Sequence, residues 1–257
     1  MNRITKLLEE KKSSILSVYF MAGYPVIDDT LRVLTALQKQ GIDMVEIGIP
    51  FSDPMADGVV IQQAATQALR NGMSLRLLFE HLNELRQTIQ IPVILLGYLN
   101  PVIQYGFEAF CCSCVDVGID GMIIPDLPLA DYLADYKPIA EKYDLKMILL
   151  ITPETSEERI RLIDQHTSGF IYMVSSAATT GAQNSFSEDV SDYFQRIRSM
   201  NLIHPLLIGF GISNRQTLQL AMENASGAIV GSQFVHLLGK NKNPEEAVNG
   251  LLRLLGK

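Results

Sequence analysis

The chain has 257 residues, 47% of them hydrophobic and 19% charged, which is enough apolar material for a sizeable core. Its formal net charge is −7, and no Lys/Arg-rich run or basic stripe interleaved with aromatics is present, so the footprint of a nucleic-acid-binding protein is missing and a small-molecule or protein partner is expected. No apolar stretch approaches the roughly 18 residues of a membrane span, and nothing resembles a cleavable leader, so a cytoplasmic location is expected.

In chain order, the first segment, "MNRITKLLEEKKSSIL", has the acidic residues and amphipathic spacing of a short helix. Eight short runs rich in Val, Ile and Leu follow: "LSVYFMAG", "MVEIGIP", "PVILLGY", "GMIIPD", "KMILLI", "GFIYMVS", "PLLIGFG" and "GAIVGS". Between them lie segments whose apolar residues fall at helical spacing, among them "DDTLRVLTALQKQG", "SLRLLFEHLNELRQTI", "FEAFCCSCVDVG" and "LADYLADYKPIAEKY". Near-continuous apolar strands joined by helical crossovers predict a parallel sheet buried on both faces. Eight such units in about 250 residues predict an α/β protein with a (β/α)8 barrel, one domain over residues 1–257, carrying an extra N-terminal helix. A doubly wound open sheet is the competing arrangement, but no break in composition suggests two sheets.

Reactive groups of such a barrel stand at the carboxyl ends of strands and in the loops beyond them. In the stretch "VEIGIPFSDPMADG", residues 45–58, side-chain alternation puts Met44, Glu46 and Gly48 on one face of the strand and the branched aliphatics on the other. Glu46 is then expected to project into the barrel, where desolvation raises its pKa toward the range of a general acid or base. The strand cores contain no cation except Lys146, so a buried ion-pair partner for Glu46 is hard to find. Asp57 sits in the following loop, where it reads either as a second working carboxylate or as a cap of the helical run "VVIQQAATQAL"; Asp53, before Pro54, can also be read as a cap.

Glycine-rich stretches come late, "TTGAQN", "GFGIS" and "GSQF", after the sixth, seventh and eighth strands. Loops after the last two strands of barrels often hold phosphate on backbone N–H groups, and without Lys or Arg here, amides and hydroxyls would have to hold it. Cys111, Cys112 and Cys114 read as reduced core thiols rather than a metal site, because no second Cys/His pair stands at a matching spacing. His81, His166, His204 and His236 lie in or beside helices, and no nucleophile triad, HExxH motif or P-loop occurs.

With these residues in place, the chain resembles the alpha subunit family of tryptophan synthase over essentially its whole length. "VEIGIPFSDPMADG" carries the resemblance most specifically, joined by "YLNPV" at 98–102, "GMIIPDLP" at 121–128, "TTGAQN" at 179–184, "GFGIS" at 209–213 and "GAIVGS" at 227–232. The resemblance implies cleavage of indole-3-glycerol phosphate to indole and glyceraldehyde 3-phosphate, without a cofactor or metal in this chain. It implies that Glu46 and Asp57 are catalytic, that Gly181, Phe210, Gly211, Gly231 and Ser232 line a phosphate pocket, and that Tyr172 and Thr180 stand near the reaction. It also implies a beta subunit, dependent on pyridoxal phosphate, in an alpha2-beta2 assembly; Asp53 and Pro54, at the edge of the Asp57 loop, are the candidates for contact with it. The chain departs from some members at Ser176 and Ala178, where Arg and Gly are frequent, and at Tyr19, which replaces a Phe of the indole site. Another phosphate-binding barrel enzyme would be expected to show a catalytic lysine at a strand end, and a non-catalytic partner-binding barrel would have no use for both carboxylates. The loops at 53–58 and 176–187 are expected to be mobile in the isolated chain.

Overall fold

The computed structural model describes residues 1–175, 188–209, 211–241 and 243–257. Nine parallel strands form one sheet: β1 (Ile15–Met21), β2 (Met44–Gly48), β3 (Val93–Leu96), β4 (Gly121–Ile123), β5 (Lys146–Met147), β6 (Leu149–Ile151), β7 (Ile171–Val174), β8 (Leu206–Gly209) and β9 (Gly227–Val230). Their order is β5-β4-β3-β2-β1-β9-β8-β7-β6, so the two edges of the sheet are β5 and β6, separated only by Ile148. The expected fifth strand, "KMILLI", is therefore one strand in two pieces: its first half pairs with β4 and its second with β7, and the barrel closes through it. At this seam side chains take over from the ladder, with Met147 N donating to Ser168 Oγ (2.8 Å) and Leu149 N to Thr167 Oγ1 (3.1 Å). Unpaired strand amides are costly when buried, and the two hydroxyls satisfy them.

The interior is filled by alternate residues of the strands, including Ile15, Met44, Ile94, Ile123, Ile148, Leu207 and Ile229, together with Phe170. One more interior residue comes from outside the sheet. The expected N-terminal helix (Arg3–Glu10) drives fully buried Ile4 into the base of the barrel, where Gly121 and Gly169 leave room for it. A Cβ on these glycines would lie 3.0 and 3.2 Å from Ile4, closer than comfortable packing allows. The helix is fixed by Asn2, whose side chain accepts from Ile4 N and donates to the Asp120 carbonyl, and by Arg3, which joins Arg86 on the buried Asp120 carboxylate.

The outer helices follow the expected segments with informative breaks. "SLRLLFEHLNELRQTI" forms two helices, Leu75–His81 and Leu85–Thr88, and "LADYLADYKPIAEKY" takes a π turn over Tyr132–Tyr136 just before Pro138. A proline cannot supply the N–H that a continuous α-helix would need there, and the wider turn accommodates it. Two helices start directly at strand ends where the sequence analysis placed none, Leu99–Tyr105 and Ser232–Lys240. Cys111 and Cys114 bury their thiols, but Cys112, one residue round the same helix, is exposed and corrects the expectation of three core thiols. Lys146 pairs with Asp144 at 2.7 Å, at the amino end of the fifth strand.

Candidate active site

Glu46 lies in the middle of β2, paired in register with Tyr19 of β1 and Ile94 of β3. It projects inward and has no solvent exposure. Ser17 Oγ donates to its Oε1 at 3.0 Å, while Oε2 has no partner among the described residues. Burial pushes the carboxyl up from its ordinary value of 4.5 to about 8, a rise that the Ser17 hydrogen bond only partly offsets. Near neutral pH it is a carboxylic acid with one oxygen free to face a ligand.

Asp57 is half-buried on the loop after β2. Its carboxylate Oδ2 accepts a hydrogen bond from Tyr98 Oη at 3.2 Å, and the same phenol oxygen accepts from Ala56 N at 3.0 Å. Burial raises this carboxyl to about 6, opposed by the Tyr98 hydrogen bond. The reading of Asp57 as a helix cap does not survive. Gly58 occupies the cap position of the helix Val59–Arg70, and no side chain caps that helix. Asp53 likewise caps nothing; its carboxylate accepts from Ser52 Oγ.

Two tyrosines complete the mouth. Tyr19, on β1, lays its phenol in the space above Gly48, and Tyr172, on β7, does the same above Gly209; a Cβ on either glycine would collide with the hydroxyl. Glycine is thus required at both strand ends to let an aromatic side chain lie across the barrel. Burial holds both phenols well above their ordinary pKa, and the nearby charges of Asp57 and Glu46 add to the rise. Both are therefore neutral hydrogen-bonding groups. Leu96 and Leu150 also pack against the interior cluster but remain partly exposed, so apolar surface is accessible beside Gly48 and Tyr172, their partners in register.

On the far side of β1 from the carboxylates, two helices begin after β8 and β9. The first (Arg215–Asn224) is closed by a capping box between Asn214 and Thr217, so its orphan amides are partly satisfied. The second (Ser232–Lys240) starts at Gly231 with no side-chain cap, leaving its N-terminal amides available to an anion. Gly211 is buried with φ +76, a conformation that glycine adopts without strain. Gly231 stands beside the Tyr19 ring, where a Cβ would lie 3.5 Å from Tyr19 Cδ1.

The structure thus brings Tyr19, Glu46, Asp57, Tyr172, Gly211, Gly231 and Ser232 to the carboxyl end of one barrel. Thr180, Gly181 and Phe210, with Ser176 and Ala178, lie outside the described residues. Ser17 and Tyr98 were missed in the sequence. A polar residue on the inward face of an apolar strand was the available signal for Ser17, whereas nothing local tied Tyr98 to a loop some 40 positions earlier.

The family model for the tryptophan synthase alpha chain matches residues 5–255. The chain belongs to the tryptophan synthase alpha chain family. It is accordingly a carbon–carbon lyase of tryptophan biosynthesis, cleaving indole-3-glycerol phosphate to indole and glyceraldehyde 3-phosphate. The tryptophan synthase alpha chain of Parabacteroides distasonis is 68% identical over 99% of both chains. The crystal structure of tryptophan synthase subunit alpha from Legionella pneumophila superposes with a TM-score of 0.89 at 35% identity, covering 99% of this chain and 97% of that one. A tryptophan synthase complex from Pyrococcus furiosus gives a TM-score of 0.85 at 33% identity over 95% and 98% of the two chains. Membership in the alpha chain family excludes the alternative of a barrel enzyme from another pathway, and the family's alpha chains carry no cofactor of their own.

Proposed function

We propose that Glu46 and Asp57 divide the proton work of the cleavage, within one domain spanning residues 1–257. The observation that carries this reading is the contrast between the two carboxyls: one is sealed in the barrel with Oε2 unpartnered among the described residues, the other is half-buried at the rim under the Tyr98 hydroxyl. Burial accordingly raises the first to about 8 and the second only to about 6. Between those values Glu46 is an acid and Asp57 an anion. Glu46 gives its proton to C3 of the indole ring, and positive charge develops on the ring nitrogen, where the Asp57 carboxylate stabilises it. Glu46, now a carboxylate, takes the proton of the adjacent side-chain hydroxyl as the carbon–carbon bond breaks and its electrons return to the ring. Glu46 ends protonated, as it began.

Tyr19, Tyr172, Leu96 and Leu150 form the walls for the ring. Gly211, Gly231 and Ser232, with the N-terminus of the helix Ser232–Lys240, hold the phosphate; the family resemblance assigns Gly181 and Phe210 to the same pocket and Thr180 to the active site. Remote phosphate binding then orients the reacting carbons. The primary test is to incubate the purified chain with indole-3-glycerol phosphate and follow indole. Its kcat/KM is expected to rise with pH through about 6 as Asp57 ionises and to fall through about 8 as Glu46 loses its proton. A profile flat across that interval would remove the two-carboxylate mechanism.

We further propose that the chain works in the cytoplasm, in an alpha2-beta2 assembly with a beta subunit that carries pyridoxal phosphate and consumes the indole. The likeness to a tryptophan synthase complex supports this, and no described helix is long and apolar enough to cross a membrane. The surface beside the Asp57 loop also supports it: Asp53 is exposed, Pro54 half-buried, and Met55 and Val59 expose 88% and 68% of their surface. Two large apolar side chains this bare on one loop and the helix after it are in keeping with a contact surface there. Turnover is expected to rise more than about tenfold when the cognate beta chain is added, through closure of the site. Asp53→Ala should weaken that stimulation more than it weakens basal turnover. Absence of stimulation in the wild type would sink the partner assignment.

A further inference from the structure

Tyr98 lies just beyond β3, at the entry to the helix Leu99–Tyr105, and is 7% exposed. Its main chain is anchored from the next strand loop, since Leu99 N donates to Asp126 Oδ1 at 2.8 Å. Its ring packs against Phe51, with centroids 5.5 Å apart. From this fixed base a single phenol oxygen makes two hydrogen bonds to consecutive residues of a different loop. It accepts from the Ala56 amide at 3.0 Å and donates to the Asp57 carboxylate at 3.2 Å. Accepting the amide proton polarises the phenol, which makes its own O–H a better donor. Among the described residues the other bonds of Asp57 are main-chain ones: its N bonds to the Pro54 carbonyl, and its carbonyl accepts from Gln62 Nε2, but neither bond fixes the carboxylate.

We propose that Tyr98 is a positioning residue for the cleavage, its hydroxyl aiming the Asp57 carboxylate into the barrel mouth and keeping it ionised there; this rests on the catalytic reading of Asp57. An aromatic residue that merely fills the core would need the ring and not the hydroxyl. The ionisable groups that influence this cluster are Tyr19 from β1, Tyr172 from β7, Glu46 from β2 and, beside Tyr98, Asp126 after β4. All are neutral or acidic, so among the described residues no cation replaces the phenol in stabilising the carboxylate. Burial alone acts on Asp57 in the opposite direction, toward the neutral acid.

The test uses Tyr98→Phe, which keeps the ring against Phe51 and deletes only the oxygen. Two readouts are taken on wild type and variant: the pH profile of kcat/KM for indole release, and the titration of the Asp57 carboxyl carbon by NMR, its signal assigned by its loss in Asp57→Asn. In the variant the Asp57 midpoint and the acidic limb of the profile are expected to move up together by about one pH unit, while the alkaline limb, which belongs to Glu46, stays in place. An Asp57 midpoint and acidic limb unchanged from wild type would overturn the proposal, as would a loss of rate equal at all pH values, which signals a packing defect. Asp57→Asn separates the two levels of inference. If it is inactive and Tyr98→Phe shifts nothing, only the role of Tyr98 falls; if it turns over like wild type, the catalytic reading of Asp57 falls and the positioning role falls with it.

Discussion

Glu46→Gln is expected to reduce indole release by about a thousandfold or more, while binding of a glycerol-phosphate analogue stays within a few-fold of wild type. The amide matches the carboxyl in size and can still accept from Ser17, but it has no acidic proton to give to C3 and no carboxylate to recover one from the hydroxyl. The same variant is expected to be more stable than wild type in mildly alkaline solution. In the fold Glu46 keeps its proton up to about pH 8, whereas in the unfolded chain it ionises near its ordinary value of 4.5. The stability linked to that proton is fully present below about 4.5 and is lost as pH rises through about 8, because over that interval only the unfolded chain gains a hydrated carboxylate. Each pH unit of displacement is worth about 1.4 kcal/mol, so across the interval from 4.5 to about 8 the wild type forfeits on the order of 5 kcal/mol and the glutamine variant does not. Urea denaturation at several pH values reads this directly: the stability difference between variant and wild type should grow in the variant's favour from mildly acidic to mildly alkaline pH. Wild-type turnover in Glu46→Gln, or a stability difference independent of pH, would contradict the role and the environment assigned to this carboxyl.

How much of this was legible in the sequence varies with the range of the interaction. The inward direction of Glu46 followed from strand alternation alone, because a period of two leaves no choice once β2 is recognised. The closure of the barrel followed from the repetition of strand and helix. The seam at Ile148 did not, because it depends on which neighbours the two halves of the strand meet, and "KMILLI" reads as uniformly apolar. For Asp57 the local sequence left cap and catalytic roles equal; the cap position falls to Gly58, and the Tyr98 hydroxyl reaches the carboxylate from beyond β3. Gly48 and Gly209 read as ordinary strand-end glycines, yet each clears space for a tyrosine that begins on another strand. The N-terminal helix was visible by its periodicity, but that Ile4 is the plug of the barrel depends on Gly121 and Gly169, more than a hundred residues away. Pairings across the barrel are a property of the closed sheet, and no window along the chain contains both partners.

Gly231→Asp is expected to raise the KM for indole-3-glycerol phosphate by a hundredfold or more, and it is a cleaner probe of the phosphate site than the equivalent change at Gly211. Gly211 has φ +76, so any side chain there strains the backbone before a ligand arrives. Gly231 has φ −114, and a Cβ on it would make only an ordinary contact, 3.5 Å from Tyr19 Cδ1. Packing around this position therefore does not demand glycine, and under the proposed phosphate pocket the missing side chain leaves the backbone open to the anion. A carboxylate placed there faces the phosphate at close range, and two like charges about 4 Å apart repel by about 4 kcal/mol at the effective dielectric constant of a partly buried site. Every 1.4 kcal/mol is about a factor of ten in affinity, which sets the scale of the effect. Gly231→Ala supplies the steric control and should change KM only a few-fold. A substrate analogue without the phosphate supplies the electrostatic one, since it has no charge to repel and should lose little between wild type and Gly231→Asp. Equal losses for both substrates, or an alanine variant as impaired as the aspartate, would mean that Gly231 serves the fold and that the phosphate is held elsewhere at the barrel mouth.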